Sequence, residues 1–237
     1  MIMKNKKAFM NDMISILKFY QALGYERLPI TLQTRKSLST GRFKESIRTK
    51  QANTMLKKLR EEIGDCKRCR LSNNRTHIVF GEGNPQAELV FIGEAPGREE
   101  DIQGRPFVGD AGKLLTRLIE KMGFTRKDVY IANIVKCRPP MNRDPEADEI
   151  ATCRGFLERQ IEIIRPKVIM SLGRIAAQTL TGSIKTRISA MRGHFVDYEG
   201  IPLMPTFHPA YLIRNPKDKW LTWDDAQKVV EQIKRTD

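Results

Sequence analysis

The chain has 237 residues, 40% hydrophobic and 30% charged, which suits one large globular domain or two small ones and excludes a fibrous or disordered chain. Its longest apolar runs, such as 89–92 and 168–170, are far shorter than a bilayer-spanning helix requires, and Asp12 and Lys18 bracket only five uncharged residues, too few for a secretory signal. The net charge is +14, and residues 1–60 hold 14 Lys/Arg against 3 Asp/Glu. The expectation is a cytoplasmic, monomeric protein with no membrane role and a polyanionic partner, nucleic acid before any other, with a merely solvated basic arm as the alternative.

In chain order, Phe9, Met13, Ile16, Leu17 and Tyr20 fall at helical spacing and Gly24 supplies a cap. Residues 26–50 are basic, rich in Ser and Thr, and aperiodic, which predicts an arm or linker. A helix over 51–63 then delivers the chain to Cys66. The predicted division is a basic extension with one amphipathic helix, 1–50, and a main domain, 51–237. Within that domain strands and helices alternate: strand 89–92, a glycine-rich loop, helix 111–122, strand 129–135, and a helix entered through Asp144-Pro145 and running to 164. Strand 168–172, helix 174–180, a strand pair at 195–198 and 202–205 around Glu199-Gly200, and helix 219–234 complete the pattern. Such alternation predicts an α/β fold, a central and mostly parallel sheet covered by helices on both faces. Ligands of such sheets lie beyond the carboxyl ends of the strands.

The four cysteines are Cys66-x2-Cys69, then Cys137 after 67 residues and Cys153 after 15 more. Without an oxidising compartment they read as metal or cluster ligands sooner than as disulfides. Basic neighbours, among them Lys67, Arg68, Arg70, Lys136, Arg138 and Arg154, suit an anionic site. Zinc ribbons prefer two close pairs, whereas an iron–sulfur cluster tolerates one pair and two distant thiols, so the cluster is preferred and zinc stays open.

Strand 89–92 runs into Gly93-Glu94-Ala95-Pro96-Gly97, Arg98-Glu99-Glu100-Asp101 and Gly104-Arg105-Pro106-Phe107-Val108-Gly109. Glycines let backbone approach a ligand closely, but no Lys-Ser/Thr pair follows, so a P-loop is unsupported. Phe107 reads either as a core plug or as a stacking platform. Asn133, inside the apolar strand, is either a satisfied structural amide or a bidentate reader of a base edge. His208-Pro209-Ala210 sits at the sheet's ligand edge, a setting that His77 and His194 lack.

Together these motifs, with Asn133-Ile134-Val135-Lys136-Cys137-Arg138-Pro139-Pro140, resemble the family 4, iron–sulfur uracil-DNA glycosylases over about 56–234. The resemblance implies a three-layer α/β/α sandwich, a 4Fe-4S cluster on Cys66, Cys69, Cys137 and Cys153, and excision of uracil from single- or double-stranded DNA. It implies a pocket in which uracil stacks on Phe107, the backbone of Gly93, Glu94 and Ala95 closes one edge, Asn133 reads N3–H and O4, and His208 hydrogen-bonds O2. Either Glu94 or Glu100 would position the attacking water, since the position of the Asp that serves better-known superfamily members is Ala95. Leu212 would wedge into the space left by the flipped base while Arg214 holds phosphate, with a plain helix start as the alternative. A related branch traps its product through a loop histidine, which the stretch 183–192 lacks. The competing functions are a non-catalytic iron–sulfur nucleic-acid binder attached to a polymerase and a glycosylase of broader base range.

Overall fold

A computed structural model describes residues 42–235 and, before them, residues 14–15 and 18–22. Phe9, Met13, Ile16, Leu17, Gly24 and the linker as far as residue 41 lie outside the described residues, while Tyr20 is helical. Helix α1, Arg42–Ile63, starts earlier than the predicted 51. Residues 42–50 are rich in helix formers and contain no Gly or Pro, but they carry too few apolar side chains to show a buried face. The face that is buried, Ala52, Leu56, Leu59 and Ile63, begins where the predicted helix did.

Six strands form one sheet in the order β1-β3-β2-β4-β6-β5. They are β1 Glu82–Gly83, β2 Leu89–Gly93, β3 Tyr130–Asn133, β4 Val168–Leu172, β5 Val196–Tyr198 and β6 Ile201–Thr206. The four central strands, β3, β2, β4 and β6, are mutually parallel, and the short edges β1 and β5 are antiparallel to their neighbours. Strand β1, two residues long, is too short to carry a periodic signal in the sequence. Strand β3 stops at Asn133, two residues before the predicted end, because the chain peels toward Cys137. The Ile134 and Val135 amides still donate to the Gly93 and Glu94 carbonyls at 2.9 and 3.1 Å.

The remaining helices are α2 Arg98–Gln103, α3 Asp110–Lys121, α4 Ala147–Ile164, α5 Arg174–Thr181, α6 Ile188–Met191, α7 Pro209–Arg214 and α8 Lys219–Arg235. Helix α4 is capped at Glu146, not at Asp144: the Glu149 carboxylate accepts from the Glu146 amide at 2.8 Å, and Asp144 pairs with Arg174 instead. Successive residues of β2 bury on opposite faces, as a strand's period of two requires. Val90 and Ile92 join Leu59, Ile63, Leu157 and Ile161 from α1 and α4, whereas Leu89 and Phe91 join Leu115, Ile119, Val229 and Ile233 from α3 and α8. The result is the three-layer α/β/α sandwich with a mostly parallel sheet. No helix among the described residues is long and apolar enough to cross a membrane.

Candidate active site

Parallel registry brings the carboxyl ends of β2, β3 and β6 to one edge, and a cavity of about 440 Å³ opens there. Glu94, Ala95, Glu100, Phe107, Asn133, His208 and Arg214 all line it. Gly93 stands directly behind, opposite Asn133 in the β2–β3 register. A Cβ at Gly93 would lie 2.4 Å from Asn133 Oδ1 and 2.5 Å from Phe107 Cζ, so only glycine lets those two groups occupy this space.

Asn133 is 1% exposed, and its Oδ1 is buried without a hydrogen-bond partner. Buried polar atoms are nearly always paired, so an orphaned acceptor at a cavity wall signals a group that a ligand satisfies. Its main chain is fixed from behind: the buried Lys136 Nζ donates to the Asn133 carbonyl at 2.8 Å and to Gln160 Oε1 at 2.6 Å.

Phe107 both closes the core and faces the cavity. It packs with Phe91 and Leu115 while its ring centroid lies 5.7 Å from that of His208. Its backbone is left-handed, at φ +51°, a conformation that a side chain with a Cβ adopts only when its surroundings hold it. Arg126 supplies the hold, donating to the Phe107 and Pro106 carbonyls at 3.1 and 2.8 Å while paired with Glu82 at 2.7 Å.

The acidic run after the first glycine loop divides three ways. Glu99 is exposed. Asp101 is buried and accepts from the Thr76 and His77 amides. Glu100 draws the two glycine loops together: Oε1 accepts from the Val108 and Gly109 amides at 2.8 and 2.9 Å, and Oε2 from Gly97 at 3.1 Å. Glu94 has no such set of amides. Burial, reinforced by the Asp144 charge and opposed by Arg174, pushes its carboxyl up to about 7.

His208 caps α7, and its Nδ1 accepts from the Ala210 amide at 3.1 Å. A neutral imidazole so bonded carries its proton on Nε2. Burial, helped by the Arg214 cation and opposed by Glu100, drives the ring down to about 4, so it is neutral at ordinary pH. The strand that delivers it is pinned by the buried Asp225, which accepts from Thr206 Oγ1 at 2.6 Å and from Arg192 Nε at 3.0 Å.

Leu212 requires correction. It is 3% exposed and lies beside Leu115 and Trp223, not at the surface that the wedge expectation calls for; the exposed apolar residue of that turn is Ile213. Pro139, Asn142 and Arg143, to which the sequence analysis gave no site role, also line the cavity. The available signal was a proline pair just past the carboxyl end of a predicted central strand.

All four cysteines carry free thiols and line a second, small cavity between α1, the segment after β3 and α4. Arg68 and Arg75 donate to the sulfurs of Cys66 and Cys137 at 3.3 and 3.4 Å, and the Lys136 amide to that of Cys153 at 3.3 Å. Burial pushes the Cys137 thiol up to about 11 against the pull of Arg75. Among the described residues, no three ligating side chains form a group that could hold a single metal ion. Four thiols around one cavity, met by cationic and amide donors, fit a group that gathers thiolates and carries negative charge.

The family model of the uracil DNA glycosylase superfamily matches residues 80–232. The chain belongs to that superfamily. It is 48% identical to the Type-4 uracil-DNA glycosylase of Saccharolobus solfataricus over 181 residues, covering 73% of this chain and 84% of that one. The Type-4 enzyme of Sulfurisphaera tokodaii is 46% identical over 74% of this chain and 84% of its own, and that of Thermotoga maritima 47% over 74% and 93%. These relatives place the chain in family 4.

The bracing role of Glu100 has a measurable consequence. Glu100→Gln turns one acceptor oxygen into a donor facing backbone N–H groups and is expected to cost about 1–3 kcal/mol of unfolding free energy, read from urea titration; unchanged stability would contradict the brace.

Proposed function

We propose that the protein is a DNA repair glycosylase that flips uracil from DNA and hydrolyses its N-glycosidic bond, leaving an abasic site. The observation that carries this reading is the orphaned Asn133 Oδ1 at the cavity wall, held beside Phe107 and His208. Excision requires the base outside the helix. Uracil stacked on Phe107 would offer N3–H to Oδ1 and O4 to the Asn133 amide nitrogen. Cytosine presents an acceptor at N3 and a donor at N4, so the same fixed amide would meet it with both groups mismatched. Breaking N1–C1′ leaves the bonding pair on uracil, with charge on O2, and an oxocarbenium-like sugar. His208, neutral and protonated at Nε2, stabilises O2 as a hydrogen-bond donor without transferring its proton. Water then adds to C1′ and releases a proton. Because Glu100 is committed to three backbone amides, Glu94 is the carboxylate that orients this water.

Cys66, Cys69, Cys137 and Cys153 would hold a 4Fe-4S cluster; the shared cavity and its cationic donors support the cluster, and the lack, among the described residues, of any three-ligand group for a single ion counts against the zinc alternative. When bound it would serve as a cross-link between the residues that follow α1, the residues that follow β3, and α4. The chemistry at the base would be left to the side chains above.

Four sets of outcomes test this reading. On uracil-, hypoxanthine- and thymine-mismatch oligonucleotides treated with alkali, only uracil should yield strand breaks. His208→Ala and Asn133→Ala should lose roughly a hundredfold to a thousandfold in rate while still binding DNA, and Asn133→Asp should gain activity on cytosine. Single-turnover rates should rise as pH passes through about 7, where the Glu94 carboxyl ionises, and then level off. Glu94→Gln should be slow and lack that limb, and His208, neutral throughout, should add none near neutrality. Purified protein should be brown, with about four irons per chain and absorption near ~400 nm, and Cys137→Ala should lose both iron and stability. Colourless protein with stoichiometric zinc would overturn the cluster assignment.

A further inference from the structure

A flipped base leaves a gap in the stack, and proteins that kink or open DNA commonly fill such gaps with an apolar side chain. With Leu212 buried, that role falls to another side chain. Among the exposed large apolar side chains of the described residues, Met141 and Ile213 alone have cavity-lining residues within two positions on both sides. Met141 is 95% exposed and Ile213 45%.

Met141 also stands on an unusually firm mount. It occupies a 3-10 turn, Pro140–Asn142, with φ +53° at Met141 and +55° at Asn142. A left-handed backbone is unfavourable for a residue with a Cβ, and it persists only where neighbouring contacts impose it. Here they do. The Asn142 and Arg143 amides donate to the Pro139 and Pro140 carbonyls, each at 3.1 Å, and Arg138 Nε donates to Asn142 Oδ1 at 2.7 Å. Arg143 grips the fully buried Glu149 through two bonds of 2.9 and 2.7 Å. A fully solvated methionine gains nothing for folding from this position. Its unbranched, polarizable side chain is slender enough to enter between base pairs.

The geometry assigns to Met141 the role of the wedge that enters duplex DNA at the extruded nucleotide. This rests on the glycosylase reading above, and the substrate is a uracil that must be displaced from a paired stack. Single-stranded uracil needs no wedge.

The test compares wild type, Met141→Ala, Met141→Gly and Ile213→Ala in single turnover, on uracil in a single strand and in a duplex opposite guanine. A 2-aminopurine placed beside the uracil in the duplex reports unstacking by its fluorescence. Both Met141 variants are expected to lose about tenfold or more on the duplex, to lose the fluorescence rise, and to match wild type on the single strand. Glycine tolerates positive φ, so a matching loss in Met141→Gly excludes backbone strain as the cause. Ile213→Ala should behave as wild type. The proposal is overturned if the Met141 variants cut the duplex at the wild-type rate, if they lose equally on both substrates, or if the duplex-specific loss falls on Ile213→Ala. Wild type failing on both substrates would instead defeat the glycosylase reading, and the wedge with it.

Discussion

Gly93 has no side chain, and the space that one would fill is taken by the Asn133 amide and the edge of the Phe107 ring. Strands β2 and β3 are adjacent and parallel, with Gly93 and Asn133 level in the register. A side chain at Gly93 would therefore push the amide and the ring off the common wall on which a planar base could rest. The other supports act on the same two residues. Lys136 fixes the Asn133 carbonyl, Arg126 fixes that of Phe107, and Gly112 lets helix α3 pass where a Cβ would come 1.9 Å from the Phe107 carbonyl oxygen. These contacts explain how a left-handed phenylalanine and a buried amide with an empty acceptor can both persist in a folded chain.

Burial acts in opposite senses on the two titratable groups of the pocket. It removes charge from each: the imidazole is held neutral well below its ordinary range, and the Glu94 carboxyl is raised toward neutrality. A neutral donor suits a leaving group that departs as an anion, because a hydrogen bond stabilises the charge without requiring proton transfer. The second carboxylate of the pocket, Glu100, meets a different environment. Three backbone amides donate to its carboxyl oxygens and make it a structural tie between the two glycine loops. Chemically identical side chains six positions apart in the sequence thus have unlike work.

The thiol cavity and the base pocket are joined through the chain after β3. Asn133 ends that strand, Lys136 supports it from behind, Cys137 lines the thiol cavity, and Pro139, Asn142 and Arg143 line the base pocket again. One stretch of eleven residues, 133–143, therefore serves both sites. Disturbing the thiol cavity would be felt at the wall that carries Met141, whose position depends on the bonds made by Arg138, Asn142 and Arg143.

Much of this was legible in the sequence. Strand and helix periodicity determined the α/β class, because a buried strand and an amphipathic helix each need a fixed pattern of apolar positions. The glycine motif, Asn133, Phe107 and His208 could be named because Gly, Asn, Phe and His have distinct chemical capacities. The fate of each carboxylate could not be read from composition. What becomes of Glu94, Glu99, Glu100 and Asp101 depends on which backbone amides and charges the folded chain places beside them, from Gly97, Val108 and Gly109 at Glu100 to the distant Thr76 and His77 at Asp101 and Arg174 at Glu94. Leu212 and Met141 show the same limit. Both are apolar residues near a polar motif, and which one is buried depends on the direction in which a one-turn helix and a proline-bound turn face the rest of the molecule. Local sequence specifies what a side chain can do; only packing among distant segments decides whether it meets solvent, the core or a ligand.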